Sequence, residues 1–203
     1  MSLTLTLLTT QIPKPSSGTQ AWNLGVRLAS DVAGRITAVR YYRMLDDAGP
    51  HIGQVWSLSG SKLAENEFSN ETSLGWQRQD LLEPVFIAAN TPVVCSVTSP
   101  NGAHYAMQPG TFPLINGHLS GITGVYGSIN QFPALGTTPT SYFRDCEFIP
   151  QTITLVPDPS GGFTATLDGF QDGPYTLSVT LKDKMGVIST ESLEIMMPQV
   201  KQP

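Results

Sequence analysis

Short segments in which apolar and polar residues alternate follow one another along most of this chain. They are clearest between Gly25 and Tyr105, where stretches such as GVRLASDVAGRITAVRYYR and EPVFIAANTPVVCSV are separated by turn-forming Gly, Pro and Asn. Alternation with a period of two predicts half-buried β-strands, and closely spaced turn residues predict antiparallel connections. The sequence therefore predicts an all-β fold, an antiparallel β-sandwich of the jelly-roll or immunoglobulin-like kind.

The pattern also predicts where the strands of the sandwich lie. We expect strands near residues 2–9, 22–29, 34–43, 52–58, 63–68, 74–81, 84–88, 92–98, 104–107 and 141–149. The stretch from Pro109 to Pro139 differs, because Pro and Gly are frequent up to Gly127 and the alternation is weak. We interpret it as a long surface loop, the kind of segment in which binding functions concentrate.

The pattern changes at Pro150, where we predict a domain boundary between a sandwich at 1–149 and a small β unit at 150–203. Four strands with clean alternation follow, and in the segment 175–181 every second residue is apolar, which predicts one core face. The stretch GFTATLDGFQDGPYTLSVTLKDKMG resembles the later strands of bacterial immunoglobulin-like domains, and it covers about half of such a domain. Because four strands bury little by themselves, we expect this unit to pack on the first domain or on another subunit.

Composition and charge exclude several classes of partner. Only 13% of the 203 residues are charged, compared with about 25% in typical soluble domains. The 11 basic residues are scattered and the net charge is -5, so no basic surface for nucleic acid is expected. No apolar stretch approaches the roughly 20 residues that span a bilayer. The residues after Met1 also lack the features of a signal peptide, so neither membrane insertion nor a cleaved leader is expected.

The cysteines and histidines do not predict a metal site or a cofactor. Cys95 and Cys146 lie in predicted strands, where we expect two buried thiols; a bridge between the strands is the alternative, because the sequence does not give their separation. His51, His104 and His118 have no partner at ligand spacing, so the sequence provides no basis for a zinc centre.

The acidic residues do not form a catalytic pattern. They occur as Asp46-Asp47, as Glu65, Glu67 and Glu71, and singly in turns. Hydrolysis of a glycoside would require two carboxyl groups that face one cleft, and nothing in this spacing indicates such a pair. We interpret these residues as solvated turn carboxylates and predict that the protein is not an enzyme. A structural Ca²⁺ in the same loops is the alternative, although no EF-hand-like spacing indicates it.

Aromatic residues are the better candidates for a binding site. A sugar ring has apolar faces and hydroxyl edges, so aromatic side chains with polar neighbours are suited to bind it. We expect Trp56 and Trp76 to pack in the core. His104, Tyr105 and Tyr126 lie near turns and the predicted long loop, and we predict them as the carbohydrate-binding residues.

Several longer motifs resemble one known family. LGVRLASDVAGRITAVRYYR, HIGQVWSLSGSKLAENEF, GWQRQDLLEPVFIAANTPVVCSV and SPNGAHYAM, followed by GVYG, QFP and SYFRDCEF, are similar to domain-of-unknown-function family 4082 over residues 21–149. The resemblance implies a β-sandwich module of large secreted or surface bacterial proteins, often beside immunoglobulin-like or carbohydrate-binding domains. It implies no catalytic activity and no established site residues. The chain departs from the family at Phe143 and Arg144, where an aromatic and an aliphatic residue are usual.

Two functions are compatible with these observations. The first is a non-enzymatic structural or display subunit of an extracellular particle, such as a phage tail, fibre or capsid decoration protein, which contacts other subunits and surface polysaccharide. Its location would be the virion or the extracellular space. The alternative is a carbohydrate-binding module of a larger secreted bacterial protein. The absence of a signal peptide and the small C-terminal unit favour the first function, and the family context favours the second.

Overall fold

The computed structural model describes residues 3–16, 20–100, 104–137, 139–157, 163–168, 170, 173–182 and 188–197. These residues form sixteen β-strands and contain no helix, so no helix in the described ranges could cross a membrane. The strands are β1 (Lys14–Pro15), β2 (Trp22–Ser30), β3 (Gly34–Arg43), β4 (Ile52–Ser57), β5 (Lys62–Glu67), β6 (Gly75–Ile87), β7 (Val93–Ser99), β8 (Ala106–Met107), β9 (Leu114–Asn116), β10 (Leu119–Gly127), β11 (Leu135–Thr137), β12 (Arg144–Pro150), β13 (Thr152–Pro157), β14 (Phe163–Asp168), β15 (Gly173–Lys182) and β16 (Ile188–Met197).

Two antiparallel sheets form the sandwich. The larger sheet has seven strands in the order β11-β10-β2-β7-β4-β5, with β9 paired to β10, and the smaller has the order β12-β3-β6. Alternate residues of both sheets, such as Leu24, Val26 and Leu28 of β2, are buried. The main apolar cluster contains residues from both sheets, including Val26, Val39 and Phe148. The predicted all-β sandwich is therefore confirmed.

One irregular strand replaces two predicted ones. The stretch from residue 75 to 87 is the single strand β6, and its pairing with β3 shifts between Asp80, opposite Ala38, and Val85, opposite Ile36. The intervening residues form a wide bulge, which includes Pro84, a residue without a backbone donor. The bulge leaves Leu82 75% exposed.

The prediction of a long loop between Pro109 and Pro139 is wrong. This stretch contains β9, β10 and β11, and β10 pairs with β2 inside the large sheet. Glycine occupies core-facing positions in this stretch because the packing there leaves no room for side chains, so the sequence does not show an alternation of apolar and polar residues. A Cβ at Gly121 would lie 2.5 Å from Leu7 Cδ2, and a Cβ at Gly124 would overlap the carbonyl oxygen of Thr140. Glycine here permits close packing of a strand, although it is also the residue that marks loops.

The prediction of a strand near residues 2–9 is also wrong. In the described residues from 3 to 9, only Leu5 forms a β-bridge, to Phe148. The backbone N–H groups of Leu7 and Leu8 donate instead to the Asp145 carboxylate, at 3.1 and 3.0 Å. A buried side chain thus takes the place of a neighbouring strand, which alternation alone does not reveal.

The four strands predicted after Pro150 are present. β13 pairs with β14, and β15 pairs with β16, both antiparallel. The chain divides into compact units at residues 1–169 and 170–203, so the hairpin of β13 and β14 belongs to the first unit. The domain boundary at Pro150 stays a prediction. The predicted core face at 175–181 concerns side chains that lie outside the described part of the structure.

Candidate functional site

A pocket lined by aromatic side chains opens at one end of the sandwich. Its volume is about 260 Å³, and its walls consist of Trp22, Leu24, Tyr105, Tyr126 and Tyr142. None of these side chains carries a charge at neutral pH. The pocket therefore offers apolar ring surface and phenol hydroxyl groups.

Strand register places one wall of the pocket. Tyr126 of β10 pairs with Leu24 of β2, and Trp22 precedes Leu24 by two residues. Cross-strand partners and residues two apart share a sheet face, so these three side chains lie on the face that lines the core. Leu24 is 1% exposed, while Trp22 and Tyr126 are half-buried. The core face of the large sheet thus continues into the pocket where β2 begins and β10 ends.

The other wall comes from two segments outside the large sheet. Tyr105 is held by paired bonds with Ser16: the Ser16 N–H donates to its carbonyl at 2.8 Å, and its own N–H donates to Ser16 Oγ at 3.2 Å. Tyr142 packs against β10 because Gly124 lacks a side chain; a Cβ there would lie 3.2 Å from the Tyr142 ring. The next residue, Phe143, has a left-handed backbone with φ of 53°, an unfavourable conformation for a bulky residue.

The four aromatic rings of the pocket touch edge to face. The ring centres are 5.4 Å apart for Trp22 and Tyr126, 5.9 Å for Tyr105 and Tyr142, and 6.3 Å for Tyr126 and Tyr142. Edge-to-face contacts of this kind add stability beyond the area that they bury. The rings support one another, so the pocket is preorganised.

A buried polar cluster lies at the same end of the sandwich. It consists of Tyr41, Asp47, His51, Glu71, Ser99 and Arg144. The Tyr41 hydroxyl donates to Glu71 Oε1 at 2.6 Å and lies 2.8 Å from His51 Nδ1. His51 Nε2 lies 3.2 Å from Asp47 Oδ1, which also accepts from the hydroxyl of Ser99. Each side chain of the cluster thus has at least one polar partner, while Asp47 Oδ2 and the Nε and Nη2 atoms of Arg144 form no hydrogen bond within the described residues.

Arg144 connects this cluster to the pocket. Its Nη2 lies 3.7 Å from Asp47 Oδ2, its guanidinium stacks 5.1 Å from the centre of the Tyr41 ring, and its Nη1 donates to the Tyr142 carbonyl at 2.8 Å. The Arg144 side chain is fully buried. A charged group from the cluster therefore fixes the backbone of a residue in the pocket wall.

The charges in the cluster change its protonation equilibria. Burial raises the pKa of Asp47, but the hydrogen bond from His51, the charge of Arg144 and the hydrogen bond from Ser99 outweigh that effect and lower the pKa below its ordinary value. Burial and the hydrogen bond to Glu71 raise the pKa of Tyr41, so its hydroxyl stays a donor. The Asp47 carboxylate is thus stabilised in its charged form.

The expectation that the acidic residues are solvated turn carboxylates is wrong for two of them. Asp47 is 0% exposed, and the Glu71 side chain is 13% exposed. Both lie between strands in sequence, so they resemble ordinary turn residues. Asp47 contacts Ser99 and Arg144, and Glu71 accepts from Tyr41. Most of these partners are distant in sequence, so no local pattern predicts the contacts. In the described residues, no group of three or more His, Cys, Asp and Glu is arranged to hold a metal ion.

The structure brings together two of the three predicted carbohydrate-binding residues. Tyr105 and Tyr126 line the same pocket. His104 lies beside Tyr105 in sequence, but its Nδ1 lies 3.4 Å from Asp46 Oδ2 and it is not part of the lining. Sequence reasoning did not find Trp22 and Tyr142. The alternation of Trp22 with Leu24 could have indicated the first, whereas the position of Tyr142 depends on packing against β10.

The two tryptophans predicted for the core differ. Trp56 is 5% exposed and its indole N–H donates to Ser96 Oγ at 2.9 Å, so the prediction is confirmed. Trp76 is 38% exposed, with the Arg40 guanidinium 4.1 Å from the ring centre, so the prediction is wrong. Trp76 lies on the outer face of the small sheet, where Arg40 covers part of its ring.

The sequence of the sandwich places it in a family of proteins. A family model described as "Domain of unknown function (DUF4082)" matches residues 9–144, well over half of the chain. The protein belongs to this family. No curated protein matches the sequence. The matched span contains all five described residues that line the pocket.

Proposed function

We propose that this protein is a non-enzymatic binding domain whose aromatic pocket takes one sugar ring of an extracellular polysaccharide. The observation that carries the proposal is the pocket of Trp22, Tyr105, Tyr126 and Tyr142, with its volume of about 260 Å³. Pockets for drug-sized ligands have about 300–1,000 Å³, so this one suits a single ring or the end of a chain. Its rings offer stacking faces for the apolar side of a pyranose.

Hydrogen bonding supports the same ligand class. Tyr105 and Tyr126 are half-buried and contribute phenol groups that can donate and accept, as sugar hydroxyls do. None of the described wall residues carries a charged side chain, which suits a neutral ring. A sugar bound here would replace water on both the apolar and the polar parts of the pocket.

The arrangement of charged groups supports a non-catalytic role. Asp47, His51 and Arg144 are the kinds of residues that catalysis uses, but each is at most 1% exposed. They contact one another, and catalytic groups must come within hydrogen-bond reach of the substrate. Their arrangement therefore fits a role in supporting the pocket wall.

A glycan array followed by calorimetry tests this function. Wild type should bind at least one polysaccharide or oligosaccharide. The affinity of Tyr126→Ala for the same glycan should be lower by about tenfold or more, because a stacking face is lost. Tyr126→Phe keeps the ring and separates stacking from hydrogen bonding. The matched control is Trp76→Ala, which removes a partly exposed aromatic ring on the other sheet and should bind like wild type.

Two outcomes would contradict the proposal. One is the absence of binding by folded wild type to every glycan on the array. The other is unchanged affinity of a Tyr126→Ala variant that keeps the wild-type circular dichroism spectrum. Tyr105→Ala provides a second variant of the same pocket if Tyr126→Ala does not fold.

The second candidate is a display subunit of an extracellular particle, and an apolar groove supports it. A groove of about 360 Å³ lies between β5 and the bulge of β6. Leu63 and Leu82 in this groove are 46% and 75% exposed, and exposed apolar surface of this kind is typical of subunit contacts. Mass spectrometry of particles from the native source, and light scattering of wild type and Leu82→Ser, would test this role. A monomer at all concentrations that is never found in a particle would exclude it.

A further inference from the structure

Two cysteines from opposite sheets meet in the centre of the sandwich. Cys95 belongs to β7 of the large sheet, and Cys146 belongs to β12 of the small sheet. Both are 0% exposed and members of the same apolar cluster. Both are free thiols in this structure.

Strand register explains why both side chains lie between the sheets. Cys95 pairs with Val26 of β2 and with Val55 of β4, and Cys146 pairs with Val39 of β3. All three valines are buried in the cluster between the sheets. Because cross-strand partners share a face, both thiols point into the same apolar layer, and Cys95 lies close enough to Cys146 to raise the pKa of its thiol.

We propose that Cys95 and Cys146 form a disulfide that joins the two sheets when the chain folds in the presence of a small disulfide oxidant such as glutathione disulfide. The thiolate of one cysteine attacks the oxidant and releases one glutathione thiolate, leaving a mixed disulfide. The thiolate of the other cysteine then attacks the protein sulfur of that mixed disulfide and releases the second glutathione thiolate. The two cysteine thiols lose two electrons and two protons, and the oxidant gains both as two glutathione thiols.

Burial determines when this reaction takes place. Neither thiol is accessible in the folded sandwich, and exchange requires access to the attacked sulfur. The neighbouring Cys95 thiol and burial raise the pKa of Cys146, which further lowers the amount of reactive thiolate. The bridge therefore forms during folding, and the folded reduced protein resists the same oxidant.

Refolding of the full chain tests the proposal. Protein is unfolded in guanidinium with a reductant, then refolded either with glutathione disulfide or with reductant alone. It is unfolded again, treated with an alkylating reagent and weighed by mass spectrometry. The sample refolded with oxidant should take up no alkylating reagent and weigh two hydrogens less than the reduced chain. Its melting temperature should rise by about 5–10 °C, because the bridge restricts the unfolded chain.

Controls separate an internal bridge from other reactions. Cys95→Ala and Cys146→Ala each retain one thiol, so neither variant can lose two hydrogens or gain in melting temperature from the oxidant. Folded reduced wild type exposed to the same oxidant should keep two alkylatable thiols after unfolding. The proposal is wrong if refolded wild type keeps both thiols, carries glutathione on either cysteine, or forms bridges only between chains.

Discussion

The aromatic pocket and the buried polar cluster lie at the same end of the sandwich, but the pocket is lined by uncharged, mainly aromatic side chains and the cluster consists mainly of charged ones. The described lining of the pocket has four aromatic rings and one leucine, and three of the rings, those of Trp22, Tyr105 and Tyr126, belong to half-buried residues. The polar cluster contains Asp47, His51, Glu71 and Arg144, of which only Glu71 is more than 1% exposed. The groups that could do acid-base chemistry are enclosed, while the groups that can bind a ring are open.

This difference indicates that the two regions at this end of the fold have different roles. Charged groups in a low-dielectric interior stabilise the fold only when each has its partners. Arg144 contributes to both regions, because it lies beside Asp47 and donates to the carbonyl of Tyr142. In the function proposed above, the cluster supports the pocket wall, and the wall contacts the bound sugar. Changes in the cluster should therefore act mainly on stability, and changes in the pocket mainly on binding.

The largest effect should come from removing the buried cation. Arg144→Met leaves the Asp47 carboxylate without its cationic partner, and breaking a buried ion pair in this way costs about 3–5 kcal/mol of unfolding free energy. The control Arg78→Met removes an exposed arginine that contacts Asp80 and Glu147, and it should cost about 1 kcal/mol or less. Urea unfolding measures both. Equal losses for the two variants would contradict the role assigned to the cluster.

The next effect concerns the packing that holds Tyr142. Gly124→Ala introduces a Cβ into the space of the Thr140 carbonyl, and overpacking of this kind should cost about 3 kcal/mol. In Gly136→Ala, the nearest heavy atom to the new Cβ lies at 3.9 Å, so its unfolding free energy should remain close to that of wild type. Chemical denaturation of both variants gives the difference. A Gly124→Ala variant as stable as wild type would show that β10 and Tyr142 do not pack so closely.

Deleting one hydroxyl from each region compares them directly. Tyr41→Phe removes the donor to Glu71 and leaves buried acceptors without it, which should cost about 2 kcal/mol. Tyr126→Phe removes a hydroxyl from the half-buried pocket wall and should change the unfolding free energy by about 0.5 kcal/mol or less. Thermal unfolding of both variants measures the difference. If Tyr126→Phe costs more than Tyr41→Phe, the roles of the two regions are reversed.

The smallest effect is a pH dependence that arises from Asp47. Because its pKa is lowered in the folded protein, the unfolded chain binds the proton more readily, and stability is lost as pH falls below about 4 and through the folded pKa, by at most about 1.4 kcal/mol per pH unit. Asp47→Asn should be less stable at pH 7 and lose less stability on acidification. Asp46→Asn, at an exposed neighbour, should keep the wild-type slope. Urea unfolding from pH 7 to pH 2.5 measures the slopes, and identical slopes for Asp47→Asn and wild type would exclude this carboxylate.

Much of the fold could be predicted from local alternation, because each strand of the central region buries every second side chain. β2 and β3 lie within one residue of their predicted ranges. The strand β10 could not be predicted in this way, since Gly121 and Gly124 occupy core-facing positions where other strands have apolar side chains. Local alternation reports what a strand buries, and it fails where the strand must leave space for a neighbour.

The pocket was only half predictable for a related reason. Tyr105 and Tyr126 stood out as aromatic residues near turns, but Tyr142 joins them through the close approach permitted by Gly124. Likewise, Asp47 contacts Ser99 and Arg144, which are distant in sequence. Contacts of this range depend on the way the two sheets pack, which short sequence windows do not contain.

The contacts of Asp145 show which residues belong to the folded domain at its two ends. Its carboxylate accepts the N–H groups of Leu7 and Leu8 and pairs with Arg40, yet all of these except Arg40 lie outside the family-matched span 9–144. A fragment trimmed to that span would lose the two buried leucines Leu7 and Leu8 and leave the partly buried guanidinium of Arg40 without its carboxylate. The folding unit is therefore longer than the unit of sequence similarity at both ends, and the two extensions depend on each other.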